Sequence, residues 1–283
     1  MEDLISIAER VRSPIVGGMF YPEDETETID RLIAFDVEKK TGSRAAAIVA
    51  PHGAWDISGS IAGAAFSAAA GRYGSGKSGD ISQVVILGTV HDKKEDGIFL
   101  SESDSFQTPL GNLPVDREFC DDLLSCNTLF ELNDIPHLRE HSIEVLLPFI
   151  KYYFPHVSIV PILMGNARQV LISTLARALE FVFEPVMEDT LLVVSCNLSM
   201  NNNEDLARIQ AEECVRLLVG KKTAEFSAGV QNGRISACGG ALAASLLESG
   251  LVDRLEASFA SGGLIHAKGE ENKTVYYGAI SYE

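Results

Sequence analysis

The sequence predicts a single α/β domain spanning residues 1–283, with a central, largely parallel or mixed sheet flanked by helices on both faces. Three observations carry this. Short apolar runs rich in β-branched residues lie at 46–50, 84–88, 157–163 and 191–195, bounded by turn formers and without polar alternation, as expected of strands buried on both faces. Segments of helical length and period separate those runs, which favours parallel pairing through crossover helices. Finally, 283 residues with 46% hydrophobic content suffice to bury one full core.

The elements follow in order. A helix is predicted over 27–40, where apolar residues recur at Ile29, Leu32, Ile33 and Val37. The strand at 46–50 leads into a helix over 58–70, and the glycine- and serine-rich segment 71–80 reads as a surface loop. After the strand at 84–88 come helices over 116–125 and 139–154, the second with its stripe at Val145, Leu146, Phe149, Ile150 and Tyr153. Further helices are predicted over 168–183, 203–220 and 238–249. There is no internal repeat and no low-complexity tract.

Charge and composition narrow the partners. A formal net charge of −17, with no basic cluster longer than the pairs Lys39-Lys40, Lys93-Lys94 and Lys221-Lys222, argues against nucleic acid and anionic membrane, which draw affinity from Lys and Arg. No apolar stretch reaches the roughly 20 residues that span a bilayer. The N-terminal residues MEDLISIAERV carry acidic groups where a secretory signal carries positive charge. Five cysteines without a CxxC pair read as free thiols of a reducing compartment. The expected location is therefore the cytoplasm.

Ligands of such sheets collect at the carboxyl ends of strands. His52 follows the first strand directly in Ala50-Pro51-His52, and His91 stands in the same relation to the next, in Gly88-Thr-Val-His91. Two histidines leaving two strand ends can meet in one crevice; each can also be a loop histidine satisfied by backbone. Cys238, in Ser-Ala-Cys238-Gly239-Gly240, sits near a predicted helix start, where the helix dipole favours thiolate. The bland reading is a buried, inert thiol. His137-Leu-Arg-Glu140-His141 formally matches the HxxEH zinc motif, but Pro136 places His137 at or before the first helical turn, and a hydrogen-bonded core histidine is the simpler reading of His141.

Taken together the chain resembles the MEMO family, including the bacterial members called AmmeMemoRadiSam system protein B. The motifs that carry the likeness are Arg12-Ser-Pro-Ile-Val-Gly-Gly-Met-Phe20-Tyr21-Pro22, Pro51-His52-Gly with Ser58-Gly59, Leu87-Gly88-Thr-Val-His91, Thr108-Pro109-Leu110-Gly111 with Val115-Asp116, His137-Leu-Arg-Glu140-His141-Ser142-Ile-Glu144, and Ile235-Ser-Ala-Cys238-Gly239. The resemblance implies a fold similar to the class III non-haem iron dioxygenases. It also implies a site of two histidines and a cysteine on His52, His91 and Cys238, taking iron or copper, with zinc a further option. His141 is implied as pocket-lining. Two departures bear on chemistry: the family's Ser-Ser-Asp-Phe-Ser-His reads here Ser195-Cys196-Asn197-Leu198-Ser199-Met200, and its Gly-Tyr after the histidine reads Ala54-Trp55. Asn197 and Met200 cannot exchange protons near neutrality, so ring opening is not expected, while Trp55 keeps an aromatic beside the pocket. A metal-binding protein with a redox role is the leading expectation. A non-catalytic binder of a peptide or small molecule, a Cys–His nucleophilic enzyme and a closed structural metal site stay open.

Overall fold

The computed structural model describes residues 9–36, 44–70, 81–92, 94–259, 264–268 and 273–283, and the loop expected at 71–80 lies outside them. In chain order, β1 (Val11–Arg12) is followed by α1 (Glu25–Phe35), β2 (Ala47–Ala50), α2 (Trp55–Ala70) and β3 (Gln83–Thr89). Short elements come next: β4 (Gly97–Leu100), β5 (Ser105–Thr108), β6 (Gly111–Pro114), α3 (Arg117–Cys126), β7 (Phe130–Leu132) and α4 (Asp134–His137). The second half holds α5 (Leu147–Tyr153), β8 (Ser158–Gly165), α6 (Gln169–Phe183), β9 (Thr190–Ser195), β10 (Ser199–Asn201), α7 (Glu204–Val219), α8 (Thr223–Gln231) and α9 (Gly240–Glu248). Four short strands close the chain: β11 (Ala257–Phe259), β12 (Ile265–Lys268), β13 (Thr274–Tyr277) and β14 (Ile280–Tyr282).

Among the described residues, eight strands form the main sheet in the order β11-β14-β2-β9-β3-β8-β4-β7. The four middle strands run parallel, and antiparallel β14 and β4 border them, so the sheet is mixed. The middle strands are apolar along almost their full length because both faces are covered. Helices α1, α2 and α5 pack on one another, and α3, α6, α9, α8 and α7 form a second layer. Helix α2 is buried nearly all round. Its alanines and glycines let α1 approach: a Cβ on Gly63 would meet the Phe35 carbonyl oxygen at 2.5 Å.

Side-chain caps set several helix starts. Asp24 accepts the Glu27 N–H, Asp116 the Phe119 N–H and Asn203 the Leu206 N–H. One predicted helix differs. The segment expected to be helical over 139–154 is a loop from Leu138 to Ile143, a short 3₁₀ turn at Glu144–Leu146 and then α5. The loop's backbone N–H groups are taken by a side chain, since those of His141 and Ser142 both donate to the Glu140 carboxylate at 2.8 Å. Pro148 in the first turn of α5 cannot donate and marks where the helix begins.

That loop is fastened to the N-terminal segment by a buried ion pair of Arg12 with Glu144, each side chain only 1% exposed. Glu144 also accepts the Ile15 and Val16 N–H groups and the Tyr21 hydroxyl, each at 2.9 Å. Arg12 donates in addition to the carbonyls of His137 at 3.0 Å and Glu140 at 2.9 Å. Every charge of the pair is therefore hydrogen-bonded, the condition under which a buried pair is tolerated.

Candidate metal centre

Strands β2 and β3 both flank β9 and run parallel to it, so three carboxyl ends stand side by side. Neighbours in a sheet are about 4.8 Å apart, which separates β2 from β3 by about 10 Å across β9. His52 and His91 lean across that gap over the end of β9, and their ring centroids lie 5.3 Å apart. Cys238 enters from the opposite layer, just before α9, where Gly239 permits close approach: a Cβ there would meet the Ser195 carbonyl oxygen at 2.4 Å. One donor atom each from His52, His91 and Cys238 lies within 4.8 Å of the others.

Each histidine has its far nitrogen committed. The Ser195 hydroxyl donates to the Ser142 carbonyl at 2.6 Å, so it accepts the Nδ1–H of His52 at 2.7 Å. The Nε2 edge of His52 then faces the Cys238 sulfur at 3.3 Å, where an Nε2–H donates to a thiolate and, once that proton leaves, the lone pair can ligate a metal. His91 sets its Nδ1 against the Glu140 carboxylate at 3.0 and 3.1 Å, and its other ring edge hydrogen-bonds the Cys238 sulfur. Imidazoles whose outer nitrogen is hydrogen-bonded in this way are the usual form of metal-ligating histidine.

The electrostatics match a thiolate among imidazoles. Burial by itself pushes the Cys238 thiol up, but hydrogen bonding from Cys196 and the nearby His52 and His91 outweigh it and hold the thiol well below its ordinary range. Burial lowers His91, yet its bonds to Cys238 and Glu140 carry it up to about 10. Glu140 falls to about 2, because His91 overcomes the cost of burial. Burial takes His141 down to about 4 against the pull of Glu140.

The other residues singled out by sequence fall in different places. Asn197 brackets the site: its Oδ1 accepts the His52 N–H at 3.0 Å, its N–H points at the Cys238 sulfur at 3.1 Å, and its carbonyl accepts the Cys238 N–H at 3.2 Å. His141 stacks on His91 at 5.0 Å and lies 5.9 Å from His52, so it joins the site from the loop instead of from a helix face. Its HxxEH partner does not accompany it, because His137 turns into the core and donates Nε2–H to the Phe99 carbonyl at 3.1 Å. Trp55 is buried, with its ring against Tyr21, Phe35 and Phe149 and its indole N–H on the Val145 carbonyl. Met200 sits on β10, 43% exposed, its backbone N–H on the Ser236 hydroxyl.

Sequence reasoning passed over Ser195, Ser142 and the role of Glu140. Ser195 is the last residue of the strand that lies beside the one carrying His52, a neighbourhood that only the sheet order discloses. The HxxEH zinc pattern casts Glu140 only as a general base, whereas its carboxylate holds His91.

A metal suits this donor set: two neutral-capable imidazoles with outer nitrogens satisfied, and one sulfur favoured as thiolate, all converging. Among the described residues, no helix is long and apolar enough to cross a membrane.

Comparison with known proteins identifies the family. Residues 12–278 match the family model described as Memo-like protein. The chain is 31% identical over 209 residues to a MEMO1 family protein of Methanobrevibacter smithii, covering 70% of this chain and 72% of that one. It is 30% identical over 210 residues to a MEMO1 family protein of Thermotoga neapolitana, covering 69% and 72%. Identity to a MEMO1 family protein of Pyrobaculum aerophilum is 29% over 287 residues, covering 96% of this chain and 99% of the relative. Matched to that family model from Arg12 to Gly278, this protein belongs to the Memo-like family.

Proposed function

We propose that the protein binds one transition-metal ion through His52, His91 and Cys238, and that it serves a redox role on a fold of dioxygenase-like ancestry. The observation that carries this reading is the convergence of the three donors within 4.8 Å. The committed outer nitrogens support it, since they turn the inner edges of both rings toward the Cys238 sulfur, where an ion would take all three donors. Replacing the carboxylate of a two-histidine iron site by thiolate keeps the anionic charge but softens the site, favouring copper(I) or zinc alongside iron. Bound iron or copper would supply one-electron chemistry. The chain's own residues hold the donors, and the exposed side of His91 is where a small molecule or peptide would approach.

Ring opening of catechols is not part of the proposal. It needs a positioned group that takes a proton from a substrate hydroxyl, and such groups contribute about 10²–10⁴-fold. Asn197 spends its amide oxygen on the His52 backbone, and Met200 offers only a thioether on an exposed strand. Anaerobic loading with Fe(II), then a catechol and oxygen, should give no yellow product in the wild type. Turnover that vanishes in His52→Ala would contradict this.

Metal content of protein purified without added metal or affinity tag tests the main reading. Wild type should retain copper, iron or zinc, and Cys238→Ser and His52→Ala should lose it. Equal content in all three would end the proposal. One geometry favours a second reading: Cys238 as nucleophile with His52 as base, oriented by Ser195, the arrangement of an activated thiol. In that case an electrophile would trap Cys238 covalently and added metal would inhibit.

A further inference from the structure

We propose that Glu140 is the positioning residue of His91, and that this is the purpose of the His137-Leu-Arg-Glu140-His141 string; the inference rests on the metal reading of the His52–His91–Cys238 site. His91 lies on a loop beyond the end of β3, and its side chain is 42% exposed, so the strand alone does not fix its ring. Glu140, 4% exposed, grips it twice. Oε2 accepts the His91 backbone N–H at 2.8 Å, while the ring Nδ1 lies 3.0 Å from Oε1 and 3.1 Å from Oε2. One carboxylate thus holds both the backbone and the ring of the same residue, which sets the direction of the inner edge.

The carboxylate is itself immobilised. Oε1 takes the His141 and Ser142 N–H groups, both at 2.8 Å, and the Glu140 carbonyl accepts from the buried Arg12 guanidinium at 2.9 Å. Four N–H donors occupy the roughly four lone-pair directions that a carboxylate offers. This decides between two uses of the cluster. His91, Glu140 and His141 also come within 4.8 Å of one another, as a second metal site would require. A carboxylate with its acceptor capacity filled by the protein has none to give an ion, so Glu140 acts through His91 and not as a ligand. The string therefore works as a wedge between the loop and the histidine: Glu140 reaches forward to His91 while His137, three residues earlier, faces the core.

The test uses cobalt(II) as the probe, with the full chain. Glu140→Gln keeps one acceptor oxygen of two, so the loop N–H groups and His91 can no longer both be served. Proton NMR of the metal-free wild type should show a hydrogen-bonded His91 Nδ1–H, assigned by its loss in His91→Asn, and that signal should vanish in Glu140→Gln. Cobalt Kd should rise by about 10–100-fold, while the thiolate-to-cobalt absorption band persists because Cys238 still ligates. A merely structural role would not remove the imidazole signal from a folded protein. Unchanged cobalt Kd in Glu140→Gln, or an Nδ1–H signal that survives it, overturns the proposal. Should Glu140→Gln fail to fold, absence of a protected His91 Nδ1–H in the wild type overturns it, and its presence with loss in Glu140→Asp, shorter by one methylene, supports it. Equal cobalt binding by wild type and Cys238→Ser would defeat the metal reading instead, and the imidazole signal, which needs no metal, would still decide for or against Glu140.

Discussion

The hydroxyl of Ser195 stands 2.7 Å from Nδ1 of His52 and hands its own proton to the Ser142 carbonyl at 2.6 Å. A strand-end serine thus selects the tautomer of a histidine on the neighbouring strand. Ser142 belongs to the same loop as Glu140, so one loop governs both imidazoles.

Ser195→Ala should therefore act on metal affinity and on stability together. It strips the partner from the His52 Nδ1–H and from a buried carbonyl, which costs about 1–3 kcal/mol in urea unfolding of the metal-free protein. Metal affinity should fall by about 10–100-fold. A variant with wild-type affinity would show that the tautomer is set elsewhere.

Cys238 should be the thiol that reacts at low pH. Cys120 and Cys214 are buried and pushed upward by burial, and exposed Cys126 is raised as well. Peptide mapping after brief iodoacetamide treatment of metal-free protein at about pH 6, well below an ordinary thiol's range, should find Cys238 modified first. His52→Ala should slow that reaction. Modification of Cys238 that rises only through the ordinary thiol range would refute its thiolate character.

Acid should weaken the metal-free fold through its buried histidines. Burial depresses His137 to about 4 despite its bond to the Phe99 carbonyl, and His141 to about 4. The unfolded chain takes up these protons near about 6.5, so the contribution of these two histidines is complete above that value and is lost as pH falls towards 4. His137 should contribute on the order of 3 kcal/mol to this loss. Glu140, held at about 2, adds a further loss below the ordinary carboxylate range. His91, raised to about 10, works the other way and withdraws stability as pH climbs above about 6.5. Urea unfolding at a series of pH values should show the acid slope reduced in His137→Gln; an unchanged slope would exclude His137 as its source.

Gly239→Ala should damage fold and site at once. Its Cβ would fall 2.4 Å from the Ser195 carbonyl oxygen and 2.7 Å from the Cys196 Cβ, contacts that only a backbone shift relieves. The expected loss is about 1–3 kcal/mol, with weaker metal binding because Cys238 moves with it. Thermal unfolding and a metal titration check both, and a neutral variant would mean that the Cys238 turn is free to adjust.

Much of the sheet was legible because its four middle strands carry continuous apolar runs, a signal that survives without any partner in view. Strands β4 to β7 and β10 to β14 escaped, because each is only three or four residues long and too short to show a clear alternation. His52 and His91 could be placed near each other because both follow strand ends. What no local pattern revealed is that β9 separates those strands, which is why Ser195 was overlooked. The apolar period of 139–154 misled for a definite reason: a side-chain carboxylate claims the first N–H groups of the segment, and helix propensity does not register that competition.

Glu144 decides how short this chain can be made. A version beginning at Pro22 would keep all eight strands of the main sheet and every proposed metal donor. It would also delete Arg12, Ile15, Val16 and Tyr21, the partners of one buried carboxylate. Stranding such a charge costs about 3–5 kcal/mol, a large share of the about 5–15 kcal/mol that holds a typical domain together. The N-terminal arm is thus part of the minimal folding unit, and a protease that clipped between Tyr21 and α1 would disarm the metal site from a distance, by freeing the loop that orients its histidines.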